Sequence, residues 1–214
     1  MKELALHIMD IMQNSITAGS SRISVRVKTR DYDRLLEIIV EDDGCGMDEE
    51  TLKKATDPFQ TSRAARIVGL GLPMFKEAAI LTGGDFFLQS QLGCGTEVTA
   101  VFVNKSIDRQ PIGNLGNVFF LTMLSHKDLN LSLELSSDRG VFSFCSTTFI
   151  ESLAHKGKSH MDAAFHAEAF INEQVKLIFK EALPELGGGL HGIERNCKTA
   201  QRKDALRDGG NPPA

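Results

Sequence analysis

The chain has no tryptophan, a single tyrosine and no surplus of basic residues: 24 Lys and Arg stand against 28 Asp and Glu, a formal net charge of -4 over 214 residues. That balance argues against a general surface for nucleic acid or for an anionic membrane. No apolar run reaches the roughly 20 residues that span a bilayer. The N-terminus has the wrong order for a secretory leader, because acidic and polar residues interrupt it by Asp10. Cysteines are few and scattered: Cys45, Cys94, Cys145 and Cys197 contain no pair at a metal-binding interval. Reduced thiols in a cytoplasmic protein are the expectation. What these exclusions leave is a chain with ample material for one large domain or two small ones.

The first hundred residues give an orderly series. In "LHIMDIMQNSITAGSSRISVRV", Leu4, Ile8, Ile11, Met12 and Ile16 recur with the period of a helix. Ile23, Val25 and Val27 then alternate as in a half-buried strand, and "LLEIIVE" has the near-continuous apolar character of a central strand covered on both faces. "MDEETLKKAT" starts a short helix with Asp48 as its N-cap. Another helix begins near Pro73 and stops at Gly83 and Gly84, and "DFFLQSQ" and "TEVTAVFV" close a hairpin around "LGCG". The order α-β-β-α-α-β-β predicts a two-layer α/β (α+β) sandwich, with helices on one face of a mixed, mainly antiparallel sheet.

After residue 104, "DRQPIGNLGN" reads as a linker. "VFFLTMLS" fits a buried helix or a strand, "LNLSLELSSDRGVFSFCS" is a hairpin, and an amphipathic helix runs from about Met161 to Leu183 before Pro184. The predicted organisation is residues 1–104 as one domain, 105–186 as a small αββα accessory or partner-binding region, and 187–214 as a disordered glycine-rich tail.

Three stretches carry candidate chemistry. His7, Asp10, Asn14 and Thr17 stack on one side of the first helix, either as a wet stripe or as the oxygen-lined wall of a pocket. In "VEDDGCGMD", Asp42 arrives at a strand end, and Gly44 and Gly46 let the backbone turn sharply and approach a ligand; a surface turn has the same composition. In "RIVGLGLPMF", Gly69 and Gly71 precede a helix start, where free N–H groups and the helix dipole attract phosphate, although a plain helix-opening turn looks alike. Thr96 in "GCGTEV" is explained equally well by a hairpin turn.

Taken together and in order, these boxes resemble the ATP-binding domain shared by DNA gyrase, the large heat-shock chaperone, sensor histidine kinases and MutL, the GHKL superfamily or Bergerat fold. The resemblance covers about residues 1–104; "DIMQNSITAGSSRISV" is most similar to MutL-type proteins, and "DPFQTSRAARIVGLGLPMFKEAAILTGG" to the kinase branch. It implies ATP and Mg²⁺ as cofactors. Asn14 would give Mg²⁺ a side-chain oxygen, and Asp42 would hold the adenine amino group with Gly46 and Met47 lining the base pocket. Gly69, Leu70, Gly71 and Leu72 would cap the phosphates. Thr96 would join the network around Asp42, while Arg63 and Arg66 are lid residues that either contact phosphate or stay solvated.

Two departures from the family pattern matter. ATP-hydrolysing members carry Glu where this chain has Asp10, which withdraws the carboxylate by about 1 Å and predicts slow turnover or none. Ile67 replaces a glycine common in kinase-like members and predicts a stiffer lid. Only nine residues precede Asp10, so the phosphoacceptor His hairpin of sensor kinases is expected to be missing. His7 is expected to be a satisfied helix histidine, and His155, His160 and His166 to be solvated.

The reading is a cytoplasmic Mg-ATP-binding regulatory protein that switches a protein partner of unknown identity, with the C-terminal region as partner or homodimer surface. The competing readings are a serine/threonine protein kinase of the anti-sigma-factor type, a MutL-like ATPase in DNA transactions, and an interaction protein whose pocket no longer binds nucleotide.

Overall fold

The computed structural model describes residues 2–56 and 70–180. Its elements are α1 (Leu4–Thr17), β1 (Arg22–Arg30), β2 (Leu35–Asp42), α2 (Glu49–Lys54), α3 (Gly71–Leu81), β3 (Asp85–Gln91), β4 (Gly95–Val103), α4 (Leu115–Ser125), β5 (Asn130–Ser137), β6 (Gly140–Cys145), α5 (Ser146–Ala154) and α6 (His160–Phe179). The expected tail from residue 187 lies outside the described residues.

Six strands form one sheet in the order β3-β4-β2-β1-β5-β6. Every pairing is antiparallel except β1 with β5. The strand period of two decides which side chains meet the helices. Val25 lies opposite Val40 and Leu133, and Val40 opposite Val98, so one face carries a continuous apolar band. Against it pack Ile8, Ile11 and Met12 of α1, Leu72 and Phe75 of α3, Phe119 of α4, and Ile171 and Val175 of α6. The helices lie on one face, as the sequence predicts, and the sandwich has two layers.

Both faces of β2 are buried, as its near-continuous apolar run predicts. Among the described residues no second helical layer covers the face away from the helices; Glu37 is only 4% exposed because side chains of its own sheet close over it. Lys28 and Arg30 reach its carboxylate at 2.7 and 2.8 Å, and Arg26 bridges Glu41 and Glu97 nearby. An apolar-looking central strand is thus buried on one side by a core and on the other by ion pairs.

The elements after residue 104 extend the same sheet, with β5 running parallel to β1. "VFFLTMLS" resolves as helix, α4, whose Asn114 side chain accepts the N–H of Asn117 as N-cap. A short helix that the hairpin pattern does not announce, α5, follows β6 directly. The last helix opens with a capping box between Ser159 and Asp162, and it ends before the predicted boundary, at Lys180 in a left-handed conformation.

The segment between β4 and α4 positions α1. The first N–H groups of any helix lack intrahelical acceptors. Here Leu4 and Ala5 donate to the carbonyls of Pro111 and Ile112 at 2.9 and 2.8 Å. His7, 1% exposed, stacks on Phe75, and its Nε2 lies 3.1 Å from Gln110 Oε1. Its Nδ1 is buried without a partner. Burial holds its pKa below the ordinary histidine value. The expected satisfied helix histidine is therefore a core residue with one ring nitrogen bonded.

Candidate functional site

The site forms where α1, the end of β2 and the start of β4 meet. Asp42, the last residue of β2, lies opposite Thr96 in the strand register. Its carboxylate is fixed from two sides: Ser15 Oγ donates to Oδ2 at 2.6 Å, and the Gly44 N–H donates to Oδ1 at 2.9 Å. Hydrogen bonds to a carboxylate are among the stronger ones in proteins. The orientation of Asp42 is set before any ligand arrives.

Two glycines make the close approach possible. Gly46 has φ +65, and a Cβ there would collide with the Gln91 carbonyl. Gly95 has φ +99, and a Cβ there would collide with the carbonyl of Asp42. Loop 43–47 and the β3–β4 turn therefore touch backbone to backbone. Ser90 locks the contact: its hydroxyl accepts the Met47 N–H at 2.8 Å, donates to the Gly95 carbonyl at 2.9 Å, and lies 2.9 Å from Thr96 Oγ1.

Asn14, Asp42, Gly46, Met47, Leu72 and Thr96, residues that the family resemblance groups together, line one partly open cleft. The amide nitrogen of Asn14 is buried and unbonded there. A buried polar atom without a partner is costly and points to a missing one. Asp10 lies one turn earlier, half-buried, and desolvation raises its carboxyl above the usual carboxylate range. Gly71, which opens α3, abuts it: a Cβ there would sit 2.9 Å from the Asp10 Cβ. The N-terminal end of α3, with its free N–H groups, therefore faces the Asp10 side of α1. Leu70 is exposed at that helix start. Thr17 is exposed and His7 buried, so the polar side of α1 is narrower than its spacing suggests. Arg63 and Gly69, with Arg66 and Ile67, lie outside the described residues.

Ser15 and Ser90 are site residues that the sequence reading passes over. Ser15 falls on the same stripe as Leu4, Ile8 and Ile11, all buried. A hydroxyl on an apolar stripe was the available signal. Ser90 carries none, since alternation in "DFFLQSQ" does not separate a buried serine from an exposed one.

Residues 2–106 match the family described as histidine kinase-, DNA gyrase B- and HSP90-like ATPase. This N-terminal region is a GHKL-superfamily ATP-binding domain. Curated proteins to which it is similar include two histidine kinases. The histidine protein kinase DivJ of Caulobacter vibrioides is 32% identical over 96 residues, 43% of this chain and 16% of the relative. The signal transduction histidine-protein kinase AtoS of Escherichia coli is 35% identical over 95 residues, 44% of this chain and 16% of the relative. The chain therefore spans about a sixth of the length of these proteins. Among solved structures, the MutL ATPase domain of Aquifex aeolicus complexed with ADP aligns with a TM-score of 0.42 and 14% identity, over 64% of this chain and 60% of that one.

Proposed function

We propose that the domain binds ATP with Mg²⁺ and uses the bound nucleotide to switch a protein partner. The observation that carries this reading is the pre-set Asp42 carboxylate at the end of an otherwise apolar cleft. An acceptor-only group fixed in that way suits an exocyclic amino donor such as that of adenine. Met47 and Leu72 supply apolar surface for the faces of a base, and the opening of α3 supplies N–H groups for phosphate.

The donor set also fits the metal. Mg²⁺ takes hard oxygen ligands and usually bridges phosphates. The unpartnered Asn14 amide lies beside the cleft wall where its oxygen can serve, since the two ends of an amide exchange by rotation. Bound there, the ion would neutralise phosphate charge. Asp10 would accept a proton from water, and its shorter side chain predicts slow hydrolysis.

Coupling to a partner is supported by the strap from residues 109–114 onto α1, which ties the helix bearing Asp10 and Asn14 to the region after residue 104. In that region Leu121 and Leu124 of α4 and Met161 and Phe165 of α6 are exposed apolar side chains, suited to a partner or a second copy. Residues 105–186 are accordingly assigned to the partner-binding role. A second reading, transfer of the γ-phosphoryl group to a partner side chain, is supported by the kinase names of the matched relatives.

The test is titration of the purified protein with ATP, with and without Mg²⁺, beside Asn14→Ala. Metal-dependent binding that becomes metal-independent in the variant supports the assignment. Loss of labelled phosphate to water, to a co-purifying protein or to neither separates hydrolysis, phosphotransfer and binding alone. Absence of any adenine-nucleotide binding contradicts the proposal.

A further inference from the structure

A surface helix ordinarily turns charged side chains to solvent. The stretch from Gln110 to His126 contains no Asp, Glu, Lys or Arg, and α4 lies wholly inside it. One side of α4 fills the core with Leu115, Val118, Phe119 and Met123. Leu121 and Leu124 are left exposed on the other. Beside α4 runs α6. The Gly116 N–H donates to the Asn172 side chain at 2.9 Å, and the rings of Phe120 and Phe165 lie 4.7 Å apart between centroids. Positions descend along α6 as they ascend along α4, so the two helices are antiparallel. They are also close, since a Cβ on Gly116 would collide with the Glu168 carbonyl. One turn beyond Phe120 and Phe165, the pair carries Leu124 and Met161.

The result is one apolar face across two helices. Leu121, Leu124, Met161 and Phe165 are between 36% and 56% exposed, and Phe120 is partly buried. Interface centres are depleted of charge and enriched in Phe and Met, as this face is. Its occupant is argued from charge. A patch of one sign could not meet itself, whereas this one has nothing to repel, even in a chain with a formal net charge of -4. The flanks differ. Where α4 stops and α6 starts, Lys127, Lys156 and Lys158 outnumber Asp128 and Asp162. Toward the other end, Glu168 and Glu173 outnumber Lys176. A two-fold axis through the middle of the face sets the cationic end of one copy on the acidic end of the other. Size decides the strength: α4 has 11 residues, about 16 Å, and two helices side by side are about 20 Å wide. That falls below the roughly 800 Å² per partner of a standard interface, so the contact is reversible rather than obligate.

We propose that the face formed by Phe120, Leu121, Leu124, Met161 and Phe165 joins two copies of this chain in a reversible two-fold dimer. The inference rests on the assignment of the region after residue 104 to partner binding and supplies the partner; it does not depend on nucleotide. In a two-fold contact, residues near the axis meet their own copies. Leu121 stands between Phe120 and Leu124 in the middle of the patch, so it faces Leu121 of the other copy. Any charge placed there is therefore introduced twice and set against itself.

The test is sedimentation equilibrium of the full chain without nucleotide, over about 1–100 µM, the span that a micromolar dissociation constant requires. The wild type should pass from monomer to dimer across that range. Leu121→Glu and Leu121→Lys should each weaken association at least about 100-fold, and an equimolar mixture of the two should recover a dimer. Both substitutions fall on an exposed position, and circular dichroism checks that the fold is kept; Leu124→Glu repeats the measurement if it is not. Val141→Glu, on the exposed edge strand β6, should associate as the wild type does. A wild type that stays monomeric, Leu121 variants that stay dimeric, a mixture that stays monomeric, or dissociation by Val141→Glu overturns the inference. ATP titration of the same preparations keeps the two readings apart: a monomer that binds ATP removes only the dimer, and a dimer that binds none removes only the nucleotide.

Discussion

The hydroxyl of Ser15 donates to Asp42 at 2.6 Å, joining the middle of the site helix to the end of a central strand. Neither residue makes this bond within its own element, so the bond aligns the two walls of the cleft. Removing it leaves Asp42 with the Gly44 N–H. Ser15→Ala is expected to lower stability by about 1.5–3 kcal/mol, the range for hydrogen bonds to charged groups. Its effect on ATP affinity should exceed its effect on Mg²⁺ dependence, since Asn14 is untouched. Chemical denaturation and nucleotide titration of the same preparation check both halves.

Asp10 gives a pH signature. Burial raises its folded-state pKa above the ordinary value of 3.8. The folded state then binds the proton more tightly than the unfolded state. This contribution favours the folded state most below pH 3.8 and is lost as pH rises through the elevated folded pKa. Asp10→Asn removes the titration, so the stability difference between variant and wild type should move in the variant's favour as pH rises through that window and flatten above it. Urea unfolding midpoints across the acid range measure it. A constant difference would show that Asp10 is not desolvated.

The same residue tests the catalytic reading. Asp10→Glu restores the longer carboxylate, and displacements of about 1 Å alter rates by up to ~100-fold. Turnover of ATP by Asp10→Glu should rise toward that factor over wild type, and Asp10→Asn should hydrolyse none. Equal rates in all three proteins would remove Asp10 from the chemistry.

His7 acts in the opposite sense on stability. Burial depresses its pKa below 6.5, so the unfolded state takes up the proton first. Its contribution is complete above pH 6.5 and is lost as pH falls through the lower folded value. His7→Leu should show a flatter stability profile below pH 6.5 than the wild type, read by thermal melts across that range.

Gly46 and Gly95 hold the loop and the turn against each other. Gly46→Ala places a side chain in the left-handed region and against the Gln91 carbonyl. The backbone preference alone costs about 1–2 kcal/mol, and the collision displaces the loop. Lower melting temperature together with weakened nucleotide binding is the expected pair of results, checked by calorimetry.

Much of this was legible in the sequence because local signals and burial agree. Leu4, Ile8 and Ile11 keep the helical period and are all buried; Ile23, Val25 and Val27 alternate and all face the core. The family resemblance of the ordered boxes, not any one spacing, picked out Asn14, Asp42, Gly46 and Thr96, which line one cleft. What stayed hidden depends on partners far along the chain. Glu37 is buried because Lys28 and Arg30 close over it, a fact of strand register. Ser15 matters only once Asp42 lies beside it, and α4 shows no decisive period because it is apolar around most of its surface. The parallel pairing of β1 with β5 joins segments about a hundred residues apart, which no short window reports.

The most direct measurement is calorimetric titration of the reduced protein with ATP and with GTP, beside Asp42→Asn. An acceptor carboxylate facing the amino group of adenine meets an oxygen in the corresponding place on guanine, and loss of such a bond costs at least about tenfold in affinity. The account predicts binding of ATP in preference to GTP, and loss of ATP binding in Asp42→Asn with the fold retained. Equal binding of ATP by wild type and Asp42→Asn, or no binding by the wild type, would contradict it.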